Sequence, residues 1–237
     1  MQDIVKAMER EQEYLSYRVK NEEPFHLVDA VKECGFETLD EYFDAKRRWR
    51  FDQITFEVIY AASPQSSVEN IFDVITKRKN AVIFVDVDAV TVWTQINSGC
   101  NTEYCLEHEL PIVPVGATGT GTLVSTPGDW GVGICVHKDS GFDLKFFVDG
   151  FINIFRKYTD KEIANQGNDI MYDGEKICGF TTYDVDGMFM VISPISMTPK
   201  AELVANVCTK PAIKPVGHID FMSRDTLRRE VERWLGV

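Results

Sequence analysis

The chain has 237 residues, of which 44% are hydrophobic and 26% are charged, a composition typical of a globular protein with a substantial core. Its formal net charge of −12 would repel phosphate backbones and anionic membrane surfaces, which argues against nucleic acid and membranes as partners. The first twenty residues are amphipathic and charged, unlike a signal peptide, and no stretch is apolar over the thickness of a bilayer, so we expect a cytoplasmic protein.

Six cysteines are scattered along the chain without the paired spacing of a disulfide framework, which suits a reducing compartment. Cys100, Cys105 and His108 resemble half of a zinc site, but no second pair of ligands follows at zinc-like spacing. We therefore predict buried free thiols and no metal site.

The first 50 residues have a helical pattern. Ile4, Met8 and Leu15 recur with charges between them, which predicts an opening helix. Two further short helices are predicted in residues 25–36 and 38–49, the last with Thr38 as its N-cap. We expect residues 1–50 to be a helical N-terminal extension of a main domain that spans residues 51–237.

From residue 51 onward, β-branched runs alternate with helices. Strands are predicted at residues 54–60, 81–87, 90–94, 112–115 and 131–137, and helices at residues 66–79 and 142–158. Two Asp-Gly pairs, Asp173-Gly174 and Asp186-Gly187, are strong hairpin signals and predict three antiparallel strands within residues 168–195. A closing helix would begin at Ser223 or Asp225. The predicted fold class is α+β, with a mixed, largely antiparallel sheet flanked by helices.

A glycine-rich segment, "VGATGTGTLVSTPGD", separates two of the β-branched runs. It is not a P-loop, because Thr122 stands where the lysine would be, and it does not fit GxGxxG before a helix. Three of its glycines would let backbone N–H groups approach a phosphate or another small ligand, and two threonine hydroxyls lie between them. These residues are Gly116, Thr118, Gly119, Thr120 and Gly121. A glycine-rich bulge or hairpin bend explains the same spacing without a ligand.

Lys176 follows the first Asp-Gly turn, in a strand that is otherwise rich in apolar residues. Strict alternation places Lys176 and Cys178 on one face of that strand and Ile177 on the other, although the pattern does not say which face meets the core. A single lysine in a strand is commonly a solvated edge charge, so the residue by itself predicts no site.

The order of these features resembles the catalytic domain of the superfamily of lipoate-protein ligases, octanoyltransferases and biotin-protein ligases. In that family a glycine-rich strand and loop are followed by a helix and then by a strand pair with the motif ND-x-x-x-x-G-x-K-x-x-G. The residues that match this motif are Asn168, Asp169, Gly174, Lys176 and Gly179. The resemblance covers residues 53–215, with Gly128 and Asp129 in place of the family's usual Gly-Asn pair.

The chain departs from the family at the glycine-rich motif. Lipoate ligases generally have two arginines and a serine ahead of their glycines, where this chain has Val115, Gly116 and Thr118. Without those anion-holding arginines, the phosphates of ATP or the acyl carboxylate would rely on Lys176, a metal or an arginine from elsewhere. The branches that form a thioester use a downstream cysteine, and that region reads "VISPISM" here, while Cys178 lies too close to the lysine to match.

The resemblance implies an acyl-protein ligase or acyltransferase that attaches lipoate, octanoate or biotin to a lysine of a lipoyl or biotinyl carrier domain. Lys176 would be catalytic and would point its ammonium at the acyl carbonyl and the neighbouring phosphate. Asp169 would orient that lysine or help to hold Mg²⁺. The glycine-rich residues, with Asn168 and Gly179, would bind the substrate, and a ligase would use ATP and Mg²⁺.

Two other functions fit the same sequence. Without the arginines, the fold could belong to a non-catalytic protein that binds an acyl chain or a small cofactor. It could also belong to a structural or interaction protein in which the glycine-rich segment is only a bend. Because carrier domains tend to be acidic, a carrier would need a basic docking patch, for which Lys77–Asn80 and Arg156–Tyr158 are the candidates.

Overall fold

A computed structural model describes residues 2–20, 27–94, 99–114, 122–210, 212 and 214–237. Contacts between residues divide the chain into two units, Met1–Ile54 and Thr55–Val237. That the chain has a separate extension ending near residue 50, as the sequence predicts, stays a prediction.

The described part of the first unit is helical, with α1 (Ile4–Lys20), α2 (Leu27–Lys32) and α3 (Leu39–Asp52). Thr38 caps α3 as predicted, because its side-chain oxygen accepts a hydrogen bond from the N–H of Glu41 at 3.1 Å. The three helices pack around a small apolar core. Its buried members are Ala7, Val31, Cys34, Phe36 and Tyr42.

The second unit contains a large mixed sheet. The described strands of this unit are β1 (Glu57–Ala61), β2 (Ala81–Asp86), β3 (Thr91–Thr94), β4 (Ile112–Pro114), β5 (Leu123–Ser125), β6 (Trp130–His137), β7 (Ile163–Gln166), β8 (Asp169–Tyr172), β9 (Glu175–Gly179), β10 (Thr181–Val185) and β11 (Met188–Ile195). Eight of these described strands form the sheet, in the order β1-β2-β6-β11-β9-β8-β7, with β10 beside β11. Only β1 and β2 run parallel among its described pairs, so the predicted, largely antiparallel sheet is confirmed.

The centre of the large sheet is the long pair of β6 and β11, which align over eight residues from Trp130 opposite Ile195 to His137 opposite Met188. Side chains from both strands are buried, including Trp130 at 1% exposure, because helices cover the sheet. The long pair therefore fixes the position of the shorter β9, whose Cys178 stands opposite Ile195.

A smaller sheet has the order β4-β3-β5 among the described residues. It packs with two short helices, α5 (Thr102–Glu107) and α7 (Ala201–Val207), around buried Val92, Cys105 and Val124. Since β4 ends at Pro114 and β5 begins at Leu123, the first three glycines of the glycine-rich segment lie in the chain between these two strands.

Three longer helices flank the large sheet, α4 (Pro64–Thr76), α6 (Leu144–Phe155) and α8 (Arg224–Leu235). The closing helix begins after Ser223, whose side-chain oxygen accepts from the N–H of Thr226, so the first of the two predicted caps is the one used. Helices α6 and α8 pack closely because α6 has a glycine, Gly150, where a Cβ atom would overlap the ring of Trp234.

Both predicted Asp-Gly hairpins are confirmed. The turn residues Asp173-Gly174 and Asp186-Gly187 have positive φ angles of 51°, 82°, 52° and 79°, as a two-residue type I′ turn requires. The predicted count of three strands in this region is wrong, because residues 168–195 hold four, β8 to β11. Strand β9 ends at Gly179, and the N–H of the next residue, Phe180, donates to the carbonyl of Asn168 at 2.7 Å. The chain then turns into β10, which pairs with β11.

Four of the six cysteine side chains are buried, which confirms the prediction for Cys34, Cys105, Cys135 and Cys178. Cys100 and Cys208 are half-buried and face each other across an antiparallel bridge. Among the described residues, no helix combines the length and apolar character needed to cross a membrane.

Candidate active site

The β8–β9 hairpin carries the predicted catalytic residues on neighbouring strands. The opposed residues are Asp169 with Gly179, Ile170 with Cys178, Met171 with Lys176 and Tyr172 with Glu175. The register shifts between the second and third of these pairs, so β9 has one extra residue there, Ile177. This arrangement is a β-bulge.

The bulge determines the direction of Lys176. Strict alternation would put Lys176 on the same face as Cys178, away from Asp169. The extra residue Ile177 moves Lys176 opposite Met171, which shares a face with Asp169, because a shift of one residue reverses the faces of a strand. The prediction that Lys176 and Cys178 share a face is therefore wrong, and the bulge is the physical reason.

Asp169 forms ion pairs with two lysines. The Nζ atom of Lys176 lies 2.8 Å from its Oδ1, and the Nζ atom of Lys214 lies 2.6 Å from its Oδ2. Partial burial alone would raise the pKa of Asp169, but hydrogen bonds from the two ammonium groups outweigh it and hold the pKa below its usual value. Asp169 is therefore ionised at neutral pH.

Gly179 leaves the room that this ion pair occupies. A Cβ atom at Gly179 would lie 2.9 Å from the Nζ of Lys176 and 3.0 Å from Oδ1 of Asp169. The motif resemblance predicted a substrate-binding role for Gly179, and the structure places Gly179 against the Lys176–Asp169 ion pair. The missing side chain lets the two charged groups meet above the strand.

Lys214 is brought to the site by a short segment that runs along β9. The backbone N–H of Lys176 donates to the carbonyl of Pro215 at 2.8 Å, and the N–H of Gly217 donates to the carbonyl of Lys176 at 2.9 Å. Gly217 permits this approach, because a Cβ atom there would lie 2.6 Å from Cβ of Glu175. Sequence analysis missed Lys214, since its only signal was its place near the end of the resembling region.

The other predicted binding residues are not joined to this cluster by a described side-chain contact. Asn168 is exposed, and its backbone carbonyl accepts the N–H of Phe180. The predicted glycine-rich residues lie outside the described part of the chain. They are Gly116, Thr118, Gly119, Thr120 and Gly121.

Solved structures share this architecture. LipL1 of P. falciparum, in complex with lipoate, superposes on 76% of this chain and 61% of its own length, with a TM-score of 0.63 and 11% identity. The bi-partite lipoate protein ligase of Thermoplasma acidophilum covers 78% of this chain and 83% of its own, with a TM-score of 0.64 and 14% identity. A lipoate-protein ligase A bound with ATP covers 77% and 85%, with a TM-score of 0.62 and 14% identity.

The chain has the lipoate-protein ligase fold. The resemblance that the motif predicted is confirmed at the level of the fold, and the chain spans about three fifths of the length of the Plasmodium protein. No protein-family model and no curated protein sequence matches the chain.

A second charged cluster surrounds Asp129, the residue that stands in place of the asparagine of the family's usual Gly-Asn pair. Asp129 is 2% exposed, follows Gly128 with its positive φ of 95°, and forms an ion pair with Lys200. Its Oδ2 also accepts from the N–H of Thr126 at 2.8 Å, and its Oδ1 accepts from the hydroxyl of Thr198 at 3.0 Å. The carboxylate thus joins the turn after β5 to the loop after β11.

Burial lowers the pKa of Lys200, and the facing carboxylate of Asp129 opposes that shift. The Lys200 and Asp129 side chains are 7% and 3% exposed, so the pair is largely shielded from solvent. We interpret the Asp129–Lys200 pair as a structural connection that holds the ends of the two loops together.

Cys178 lies next to the site and is unreactive by position. It is buried, and its Sγ atom lies 2.9 Å from the hydroxyl of Ser193. Burial raises the pKa of the Cys178 thiol to about 12, so the thiolate needed for nucleophilic attack is scarce at neutral pH.

A divalent cation would have to compete with lysines at Asp169. Among the described residues, no three histidine, cysteine or acidic side chains form a group suited to hold a metal. Mg²⁺ commonly takes one or two protein carboxylates and completes its shell with water and substrate phosphates. Asp169 fits that role if it gives up Lys176 or Lys214 when the substrate arrives.

Three of the five cations in the two candidate docking patches form ion pairs within the second unit. In the first, Lys77 pairs with Asp73 at 2.7 Å and Lys79 pairs with Glu57 at 2.5 Å. In the second, Lys157 pairs with Glu230 at 2.9 Å, while the Arg156 guanidinium donates to the carbonyl of Ile163. The three paired lysines therefore offer a carrier less attraction than the sequence suggested.

Proposed function

We propose that this chain is an acyl-protein ligase of the cytoplasm, which activates lipoate, octanoate or biotin with ATP and transfers the acyl group to a lysine of a carrier domain. The observation that carries the proposal is the contact of Lys176 with Asp169 on the β8–β9 hairpin, in a lipoate-ligase fold. These are the two residues that the motif predicted as catalytic.

The chemistry requires a positive group at the acyl head. In the first step an oxygen of the acyl carboxylate bonds to the α-phosphorus of ATP and pyrophosphate leaves. In the second step the amine of the carrier lysine bonds to the acyl carbon, AMP leaves, and the amine gives up a proton. Negative charge develops on the acyl and phosphate oxygens in both steps, and one preorganised donor is typically worth about 3 to 4 kcal/mol there.

Lys176 is the donor with the best access. Its side chain is 42% exposed, against 23% for Lys214, and the less exposed Asp169 anchors it from one side. An ammonium held by one carboxylate oxygen keeps other N–H bonds for a ligand. In this proposal Asp169 orients Lys176 or, on releasing one of its two lysines, helps to hold Mg²⁺.

The acyl chain would lie along the glycine-rich segment. Gly116, Gly119 and Gly121 lack side chains and leave space for a thin aliphatic chain, while Thr118 and Thr120 offer hydroxyls. Asn168, at the turn between β7 and β8, would contact the substrate near the acyl head. These assignments rest on the sequence motif.

Activation by ATP agrees better with the residues than a cysteine-bound acyl intermediate. Cys178 is the cysteine next to Lys176, and it is buried beside Ser193. An acyl-enzyme would need an exposed thiolate. A carrier domain is the acceptor that the fold suggests, since the Thermoplasma enzyme was studied with its E2 lipoyl domain.

Native mass spectrometry tests the proposal. The protein is incubated with ATP, Mg²⁺ and, separately, octanoate, lipoate and biotin, and we expect the mass of one acyl-adenylate to appear. Lys176→Ala should reduce that adduct by roughly 100-fold or more. Lys161→Ala is the matched control, because Lys161 belongs to the same strand region but contacts Asp173 at the hairpin turn.

The other outcomes separate the alternatives. An acid that binds without ATP and gives no adenylate would support a non-catalytic acyl-binding protein. The absence of any adduct with all three acids would contradict the ligase and favour a structural or interaction role.

A further inference from the structure

The two lysines on Asp169 leave the site with an excess of positive charge. Lys176 and Lys214 contribute two charges and Asp169 removes one, in a chain whose formal net charge is −12. The side chains of Lys176, Lys214 and Asp169 are partly open to solvent, at 42%, 23% and 18% exposure respectively. A local cation in an acidic protein attracts anions to that place.

The hydrogen bonds of Lys214 define how much of its ammonium is free for a ligand. Its Nζ atom donates to Oδ2 of Asp169 at 2.6 Å and to the carbonyl of Gln166 at 2.8 Å. An ammonium has three N–H bonds, so Lys214 keeps one and Lys176, with its one described acceptor, keeps two. Three donors therefore remain around a single carboxylate.

The position of Lys214 is fixed by the backbone. The carbonyl of Pro215 accepts the N–H of Lys176, and the parallel bridge between Lys176 and Val216 holds the next residue. Both lysines therefore depend on the same stretch of β9. Their ammonium groups converge because they bind the two oxygens of one carboxylate.

We propose that Lys214 is the second cation of a two-lysine oxyanion site, which takes over from the arginines that are missing at Val115 and Gly116. The ligand is an oxyanion of the reaction, either a phosphate group of the nucleotide or the carboxylate of the acyl substrate. The inference rests on the proposed ligase function for the origin of the anion, and it adds a residue that the family motif does not include.

Anion binding by calorimetry tests the inference directly. The probes are AMP alone and octanoate alone, titrated into the wild-type protein, Lys176→Gln, Lys214→Gln and Lys214→Arg. We expect one of the probes to bind the wild type and to lose about 10-fold or more in affinity in each glutamine variant, because each loses a charged donor. Lys214→Arg should recover most of that loss, and the probe that responds identifies the anion.

Controls separate binding from a structural role. Lys210→Gln removes an exposed lysine from the same part of the chain and should leave the affinity unchanged. Thermal unfolding of Lys214→Gln should stay cooperative, since Lys176 still pairs with Asp169. A merely structural Lys214 would lower the melting temperature without a selective effect on AMP or octanoate.

Adenylate formation, measured in parallel, keeps this inference apart from the proposed function. If the wild type and Lys214→Gln form the adenylate equally and bind the probes equally, the two-lysine site is wrong and the ligase stands. If binding depends on both lysines but no adenylate forms, the site stands and the ligase is wrong. If the wild type binds neither probe, the two-lysine site is wrong.

Discussion

At the scale of single residues, the site depends on a missing side chain at one position as much as on the two charged side chains that meet there. Lys176 and Asp169 supply charge, but they meet only because position 179 has no side chain. The motif ND-x-x-x-x-G-x-K-x-x-G contains all three residues, so this part of the site could be predicted from the sequence. The role of Gly179 could not, because the pattern records a glycine without saying what lies against it.

We expect the substitution Gly179→Ala to reduce activity strongly and to change stability only slightly. The added methyl group would push against the Nζ end of Lys176, which is the mobile end of a flexible side chain and can move aside at little cost. We expect a change in melting temperature of only a few degrees and a roughly 10-fold to 100-fold slower formation of the adenylate, because the preorganised donor is displaced.

The matched control for this substitution is Gly133→Ala. Gly133 also lies in a strand, and the one described heavy atom that a Cβ there would meet within 4 Å is Cβ of Ile83 at 3.7 Å, an ordinary contact with an apolar side chain. Its activity should stay close to that of the wild type. If Gly179→Ala were as active as Gly133→Ala, the account of the lysine's position would be wrong.

At the scale of elements, local turn chemistry was predictable and the bulge was not. Asp173-Gly174 marks its hairpin because both residues tolerate positive φ. The shift at Ile177 has no such mark, since it depends on β8 and on the backbone of residues 215–217 pairing on either side of β9. A face assignment from alternation therefore failed for Lys176.

The buried Asp129–Lys200 ion pair connects two elements, because it joins the turn after β5 to the loop after β11. Removing one partner leaves a buried charge without compensation, so we expect Asp129→Asn and Lys200→Met each to lower the free energy of unfolding by about 3 kcal/mol or more. The double variant should lose much less than the sum. Urea unfolding of the four proteins measures the coupling.

A surface pair provides the comparison for this cycle. Lys145 and Asp149 lie one helical turn apart on α6 and are 74% and 49% exposed, so the same cycle there should give a coupling of about 0.5 kcal/mol or less. Equal coupling for both pairs, or additive effects at Asp129 and Lys200, would show that the buried pair does not join the loops as proposed.

At the scale of the whole molecule, the fold class followed from alternating strands and helices, but the strand order did not. The large sheet places β6 between β2 and β11, and both of these neighbours are far from β6 in the sequence. Lys214 shows the consequence for the site, because it reaches Asp169 across 45 positions of the chain. No local pattern signals a contact of that range.

Exchange of labelled pyrophosphate into ATP is the most direct measurement of the central claim, that Lys176 and Asp169 form an acyl-activating site. Exchange reports the first chemical step alone and needs no carrier domain. We predict exchange that depends on one of lipoate, octanoate or biotin, that falls roughly 100-fold or more in Lys176→Ala, and that persists in Lys161→Ala. Exchange with none of the three acids, or an unchanged rate in Lys176→Ala, would contradict the account.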